Sequence, residues 1–250
     1  MITCDERLTY DELSDDEQAR VSKYQEESGY GVLEMVRDNK QKIVPTLING
    51  KQVDRAQWQE VVRIGARSCT GTFVGKNCVI TAAHCGRNNS VSSLEIYGTD
   101  GTLKTYRYRM IHHPRWRNQS NWDLAILALD DEVDITPARV GIDYVFANGK
   151  DVDLLGYGCT RPGGSGGNDG ILRFGESKVQ GFTGTDVITS WRPSGGALCF
   201  GDSGGPMFAD GSNSGGQRTL IAVNSKGNIR DTNYNMRLDL EDARSWLENI

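Results

Sequence analysis

What is scarce in these 250 residues narrows the possibilities first. No stretch approaches 18 consecutive apolar residues, so no segment reads as a membrane-spanning helix. There is no basic surplus: 28 Lys and Arg stand against 33 Asp and Glu, a net charge of -5, which removes the global field that draws nucleic acid or anionic lipid. Paired C-x-x-C clusters are missing, and with them the sequence pattern of a structural zinc site. Histidine is limited to His84, His112 and His113, so few side chains can act as a base near neutral pH. The opening Met-Ile-Thr-Cys has neither the basic nor the apolar region of a secretory signal, and the expectation is that a signal was removed before Met1.

What is present points to a folded chain rich in turns. Hydrophobic residues make up 37% and charged residues 24%, a balance that suits a globular protein and contradicts disorder. Glycine is in excess, 30 residues where about 7% is usual, and glycine supplies the positive φ angles of tight turns. The net charge is confined to one end. Residues 1–42 hold 11 acidic and 6 basic side chains, whereas the remainder holds 22 of each. The chain therefore opens with an acidic N-terminal segment that carries the whole net charge. The segment is loosely helical at best and reads either as an exposed amphipathic arm or as a pro-segment. Six cysteines, an even number without metal spacing, favour disulfides and an oxidising compartment, secreted or periplasmic.

From Glu60 onward short β-branched or apolar runs alternate with turn clusters. They include 61–64, 71–74, 78–81, 94–97, 124–127 and 152–155, then 177–181, 207–208, 220–223 and 235–238. This spacing predicts an all-β barrel or sandwich. Only 240–250 has helical periodicity, with Leu240, Ala243, Trp246, Leu247 and Ile250 on one face. The stretch 161–170 holds five glycines and reads as a surface loop; without a Walker lysine or a following helix pattern it is not a phosphate cradle.

Three patterns carry chemistry when taken together. Thr81-Ala82-Ala83-His84-Cys85 closes an apolar strand with small residues that leave room for an imidazole. Asn121-Trp122-Asp123-Leu124 places a carboxylate at the mouth of another strand, where it could be buried or could be only a strand-edge cap. Cys199-Phe200-Gly201-Asp202-Ser203-Gly204-Gly205-Pro206 sets a serine among glycines, whose missing side chains let a carbonyl approach the backbone. A serine hydroxyl attacks a carbonyl only when a base of pKa near 7 takes its proton. The imidazolium so formed needs a fixed anionic partner, and the tetrahedral intermediate needs N–H donors aimed at its oxygen. Ile111-His112-His113-Pro114 is a poor metal site, because adjacent side chains of a β-like segment point apart.

In the order His, Asp, Ser these motifs resemble the trypsin and chymotrypsin family of serine endopeptidases over residues 47–250. The expectation is a bacterial-type secreted member with an acidic N-terminal pro-segment at 1–46 and a protease domain at 47–250. The resemblance implies two packed six-stranded Greek-key β-barrels with a C-terminal helix and a catalytic cleft between the barrels. It makes Ser203 the nucleophile, His84 the general base and then acid, and Asp123 the orienting carboxylate, with the N–H groups of Gly201 and Ser203 as oxyanion donors. Val223-Asn224-Ser225-Lys226-Gly227 resembles the family strand whose serine, here Ser225, bonds the triad aspartate and whose backbone pairs with substrate. Lys226 stands where a tryptophan is usual.

The same resemblance implies a Cys69–Cys85 bridge and, since no cysteine follows Cys199, a Cys159–Cys199 bridge near the oxyanion loop. Cys4 and Cys78 remain and would tether the acidic segment; the alternative is a free or lipid-modified Cys4. Leu47-Ile48-Asn49-Gly50 resembles the new N-terminus that activation frees in this family, whose ammonium would pair with Asp202. Ala197 falls where family members that cut after Arg or Lys carry an aspartate, so those residues are disfavoured at P1, the residue before the cut bond. Asn224 could make the pocket polar, Gly227 lies on its wall, and Asp231 could restore a negative charge. The implied partners are a protein or peptide substrate and an activating protease, the implied state is a monomer, and no cofactor or metal is implied. An esterase with the same machinery and a non-catalytic binding member of the family are the other readings.

Overall fold

The computed structural model describes residues 50–65, 69–97, 102–116, 121–159, 170–190, 197–211, 216–229 and 231–249. The acidic segment with Cys4, the expected new terminus Leu47, and all of the glycine-rich loop except Gly170 lie outside them.

Six strands form the first barrel: β2 (Val61–Ile64), β3 (Cys69–Gly75), β4 (Cys78–Thr81), β5 (Val91–Tyr97), β6 (Leu103–His112) and β7 (Ala125–Leu129), following β1 (Lys51–Gln52). Their order in the sheet is β2-β3-β4-β7-β6-β5, and contact between β2 and β5 closes the ring. Strand β4 lies beside β7 rather than β5, the crossover of a Greek key. Phe73, Val79, Leu94, Met110 and Leu127 fill the interior, each on the inward phase of its strand.

The second barrel uses β9 (Asp151–Gly156), β10 (Arg173–Phe182), β11 (Asp186–Ser190), β12 (Pro206–Ala209), β13 (Thr219–Gly227) and β14 (Thr232–Arg237). Its order is β10-β11-β14-β13-β12-β9, closed by pairing of β9 with β10. β1 extends it beside β10, and β8 (Arg139–Val140) pairs parallel with β13. The expected all-β fold of two six-stranded barrels is what the chain adopts.

A separate core lies between the barrels. Val61, Ile80, Leu124 and Ile126 of the first meet Leu155, Tyr157, Phe174 and Phe208 of the second. Trp58, 2% exposed, is packed against the rings of Phe174 and Phe208, with centroids at 5.8 and 6.0 Å. The C-terminal helix α1 (Glu241–Glu248) buries Ala243 and Leu247 in that same core. Glu241 and Asp242 in its first turn complement the helix dipole. Its Trp246 meets the edge of His113, which stacks on Trp122 at 4.8 Å, so α1 reaches the segment leading to Asp123. Among the described residues no helix is long and apolar enough to cross a membrane.

Candidate active site

The register of the first barrel brings two of the motif residues together. Thr81 pairs with Ala125 where β4 and β7 run antiparallel, so the chain leaving β4 and the chain entering β7 emerge side by side. A single 3-10 turn, Ala83–Cys85, then carries His84, and Asp123 sits two residues before β7. His84 Nδ1 lies 2.7 Å from Asp123 Oδ2, and the His84 backbone N–H donates to Asp123 Oδ1 at 3.0 Å. The side chains are 12% and 3% exposed.

Ser225 comes from the other barrel to complete the carboxylate's shell, donating its hydroxyl to Asp123 Oδ2 at 2.5 Å. Family resemblance alone assigns Ser225 this role; the local cause is a bulge. Asn224 pairs with Asn235 and Lys226 with Tyr234, so Ser225 is the extra residue on β13. An extra residue in a ladder re-aims its side chain.

Burial opposes charge on both members of the pair. It would lower the His84 pKa, but the charge and hydrogen bond of Asp123 outweigh it and the net change is upward from 6.5. Burial would likewise raise Asp123, yet the imidazole's charge and the hydrogen bonds from His84 and Ser225 hold it below 3.8. The other histidines go the opposite way. Burial takes His112 down to about 4, and burial with the nearby Arg115 charge takes His113 down to about 3. His84 is thus the histidine whose basicity is strengthened.

Ser203, 6% exposed, is locked against the first barrel. Its carbonyl accepts from Thr70 N–H at 2.8 Å, and Gly204 N–H donates to Asn224 O at 2.7 Å. A Cβ at Gly204, which has φ 80°, would collide with Thr81 Oγ1, Thr70 O and Ala82 N. Only glycine lets this loop lie so close to the end of β4, which leads to His84. Gly201 has φ 102°, a left-handed conformation, and its carbonyl accepts from Thr70 Oγ1 at 2.7 Å. Among the described residues no acceptor takes the N–H of Gly201 or of Ser203. Two donors beside a buried serine can serve an oxygen that becomes negative.

Asp202 turns away from this face into the second barrel. It is 1% exposed, and its carboxylate accepts from Gly158 N–H and Cys199 N–H, both at 2.8 Å. Burial drives it up to about 7 against those two donors and the charge of Arg173. The Cys159–Cys199 bridge braces the same loop, and Cys69–Cys85 joins β3 to the histidine turn. Cys78 is disulfide-bonded as well; its expected partner, Cys4, lies outside the described residues. One group of three metal-ligand types comes together among the described residues, Cys69, His84 and Cys85, and its two sulfurs are joined to each other, which leaves no thiolate for a metal.

The remaining pocket residues divide. Ser225, Lys226 and Gly227 border a cavity next to Ser203 that Leu198, Cys199 and Ile229 also line. Ala197 does not line it and is packed with Ile229. Asn224 turns inward, its amide donating to Leu155 O at 3.1 Å and Asp202 O at 3.3 Å. Asp231 does not border the cavity; its carboxylate accepts from Asn228 Nδ2 at 2.7 Å and Thr232 Oγ1 at 2.9 Å. Lys226 is held by Asp186, with Nζ 3.1 Å from Oδ2. Sequence reasoning missed Thr70, Asp186 and Ile229. The first two had no local signal, since their partners are distant in the chain; Ile229, a β-branched residue in a polar turn, was a visible anomaly.

A family model described as Trypsin matches residues 47–247. Trypsin iota of Drosophila melanogaster is 27% identical over 225 residues, covering 78% of this chain and 83% of that one. The Suppressor of tumorigenicity 14 protein homolog of Bos taurus is 25% identical over 197 residues, 64% of this chain; the match spans only 23% of that protein's length. Trypsin beta of Drosophila erecta is 28% identical over 218 residues, covering 77% of this chain and 82% of that protein. These relatives are animal proteins, and the expected bacterial character gains no support from them. Among solved structures, human heparin binding protein aligns with a TM-score of 0.65 at 23% identity, over 80% of this chain and 95% of that one. Neuropsin, a serine protease expressed in the limbic system of mouse brain, gives 0.65 at 19%, over 80% and 97%. At those identities the two structures establish the fold alone.

Proposed function

From the premise that the chain belongs to the trypsin family, we infer that it is a serine endopeptidase that cuts protein or peptide substrates through an acyl-enzyme on Ser203. His84 takes the serine proton and returns it to the leaving amine. Asp123 fixes the imidazole tautomer and stabilises its cation, and the N–H groups of Gly201 and Ser203 bind the oxyanion. The observation that carries this reading is the 2.7 Å contact of His84 Nδ1 with a buried carboxylate that Ser225 also holds.

The protein is made as a zymogen in this proposal. An activating protease frees Leu47, and its ammonium pairs with Asp202, a buried carboxylate that has backbone donors but no ion-pair partner among the described residues. Arg and Lys are disfavoured at P1, because Ala197 contributes no charge and Asp231 is turned to Asn228 and Thr232. Secretion as a monomer fits the disulfides.

The test is labelling by a fluorophosphonate, which reacts with an activated serine. Activated protein should label at Ser203, and Ser203→Ala should abolish both labelling and peptide hydrolysis while leaving the unfolding midpoint nearly unchanged. A folded protein that does not label, or a Ser203→Ala variant that still cuts peptides appreciably, would overturn the reading.

A further inference from the structure

A side chain next to the bond being cut has to enter the cavity that adjoins Ser203, so the size of that cavity decides which residues are accepted. Here it amounts to about 10 Å³. That is the lower limit for holding one water molecule, so the cavity admits only a group about that small. Ile229 is the reason. It points from the β13–β14 turn into a cluster with Ala197, Cys159 and Cys199 and is 7% exposed.

Ile229 holds this position in an unfavourable backbone conformation. Its φ is 56°, in the left-handed region that β-branched residues avoid. The conformation persists because the turn around it is over-determined. Asn228 N–H donates to Thr232 O at 3.1 Å, and Asn228 Oδ1 accepts from the N–H groups of Asp231 and Thr232 at 2.9 and 3.0 Å. Leu198, which lines the cavity too, is fixed as well: its N–H donates to Asn233 Oδ1 at 2.8 Å, and Asn233 is fully buried. The Cys159–Cys199 bridge holds Cys199, another lining residue. None of these can swing away to admit a longer side chain without breaking a set of buried hydrogen bonds or a disulfide.

We propose that Ile229 is a specificity-determining plug, and that it restricts cleavage to bonds following alanine, glycine or serine. This rests on the hydrolase reading above and adds the substrate class. Strain at one residue, kept by a locked turn and spent on filling a cavity beside the nucleophile, is the pattern expected of a functional constraint rather than of a solvent-facing loop.

The test uses enzyme activated from the full chain, its reactive serines counted with a fluorophosphonate, on quenched peptides that differ only at P1. Alanine, glycine and serine peptides should be cut with kcat/KM at least about 100-fold above leucine, phenylalanine, arginine, lysine and aspartate peptides, since even one surplus methylene can cost 10- to 200-fold in a closed pocket. Ile229→Gly suits the left-handed φ and empties the pocket; it should raise the leucine-to-alanine ratio of kcat/KM by about 10-fold or more. Leu198→Ala, at a lining residue outside the turn, should move the ratio in the same direction with the turn intact. Labelled enzyme that cuts readily after leucine, phenylalanine or arginine overturns this inference alone, as does an Ile229→Gly variant that labels but keeps the original ratio. Absence of labelling in folded, activated protein overturns the hydrolase reading and this inference with it.

Discussion

Thr70 and Gly201 are 131 residues apart in the chain, yet the hydroxyl of one donates a 2.7 Å hydrogen bond to the carbonyl of the other in the buried seam between the barrels. The same hydroxyl accepts from Tyr157 N–H at 3.2 Å. One side chain of the first barrel thereby sets the peptide plane of the proposed oxyanion loop in the second.

Thr70→Val keeps the shape and removes both bonds. Two buried backbone groups lose their partner, which should cost about 1–3 kcal/mol of stability for each. The Gly201 peptide would no longer be held, so kcat should fall more than KM rises. Denaturant unfolding and steady-state kinetics check the two effects; a stable variant with unchanged kcat would show that Thr70 has no positioning role.

The proposed mechanism requires neutral His84, whose pKa is raised by Asp123 against the effect of burial. kcat/KM should therefore decline on acidification with a midpoint above 6.5. In Asp123→Asn the raising charge is gone while burial remains, so the surviving activity should have its acid limb at lower pH. Its kcat should fall by about 10⁴, the general magnitude for this change in a Ser-His-Asp triad. A pH profile of the variant with its acid limb unmoved would contradict the pairing.

Asp202 has its carboxyl raised from 3.8 to about 7, first by burial. The folded state therefore holds a proton that the unfolded state has released between those values. Its contribution to stability is complete below about pH 4 and is lost as pH rises towards 7, the reverse of a salt-bridged carboxylate. Asp202→Asn should flatten this slope when unfolding is followed from pH 4 to 8. A variant that tracks the parent at every pH would remove Asp202 as the cause. The same variant should fail to gain activity after cleavage before Leu47.

Arg218 and Glu60 form an ion pair at 2.7 Å with side chains 12% and 5% exposed, and the guanidinium carbon lies 3.6 Å from the Trp58 ring centroid. Arg218→Met should destabilise by about 3–5 kcal/mol, because Glu60 would be left charged and buried without its partner. Adding Glu60→Met should recover most of that loss, and chemical denaturation of the two variants measures it. A single variant as stable as the parent would mean that Glu60 is already neutral.

The sequence carried its strongest signal where burial is one-sided or complete. Val61–Ile64 and Cys78–Thr81 coincide with β2 and β4, and both read as apolar runs because one face or both are enclosed. β6 was not legible: of its ten residues only Tyr108 and Met110 are buried, and Lys104, Arg107 and Arg109 break the pattern with exposed charge. β11 was missed for a different reason, since Asp186 and Thr189 are buried as polar groups with partners on other strands. His84, Asp123 and Ser203 stood out because their motifs are local. The pocket did not, because Leu198 in its lining is held by Asn233 and Ile229 fills part of it, positions whose meaning depends on which strand the chain pairs with after turning.

Strand β13 concentrates unlike duties in adjacent positions. Asn224 secures the serine loop, Ser225 secures the aspartate, and Lys226 and Gly227 border the cavity beside Ser203. Diversifying that strand to retarget the enzyme would damage its chemistry at almost every step. Evolution in the laboratory has its opening one element later, in the four-residue connection from Asn228 to Asp231, where Ile229 can be varied without touching the groups proposed to move protons.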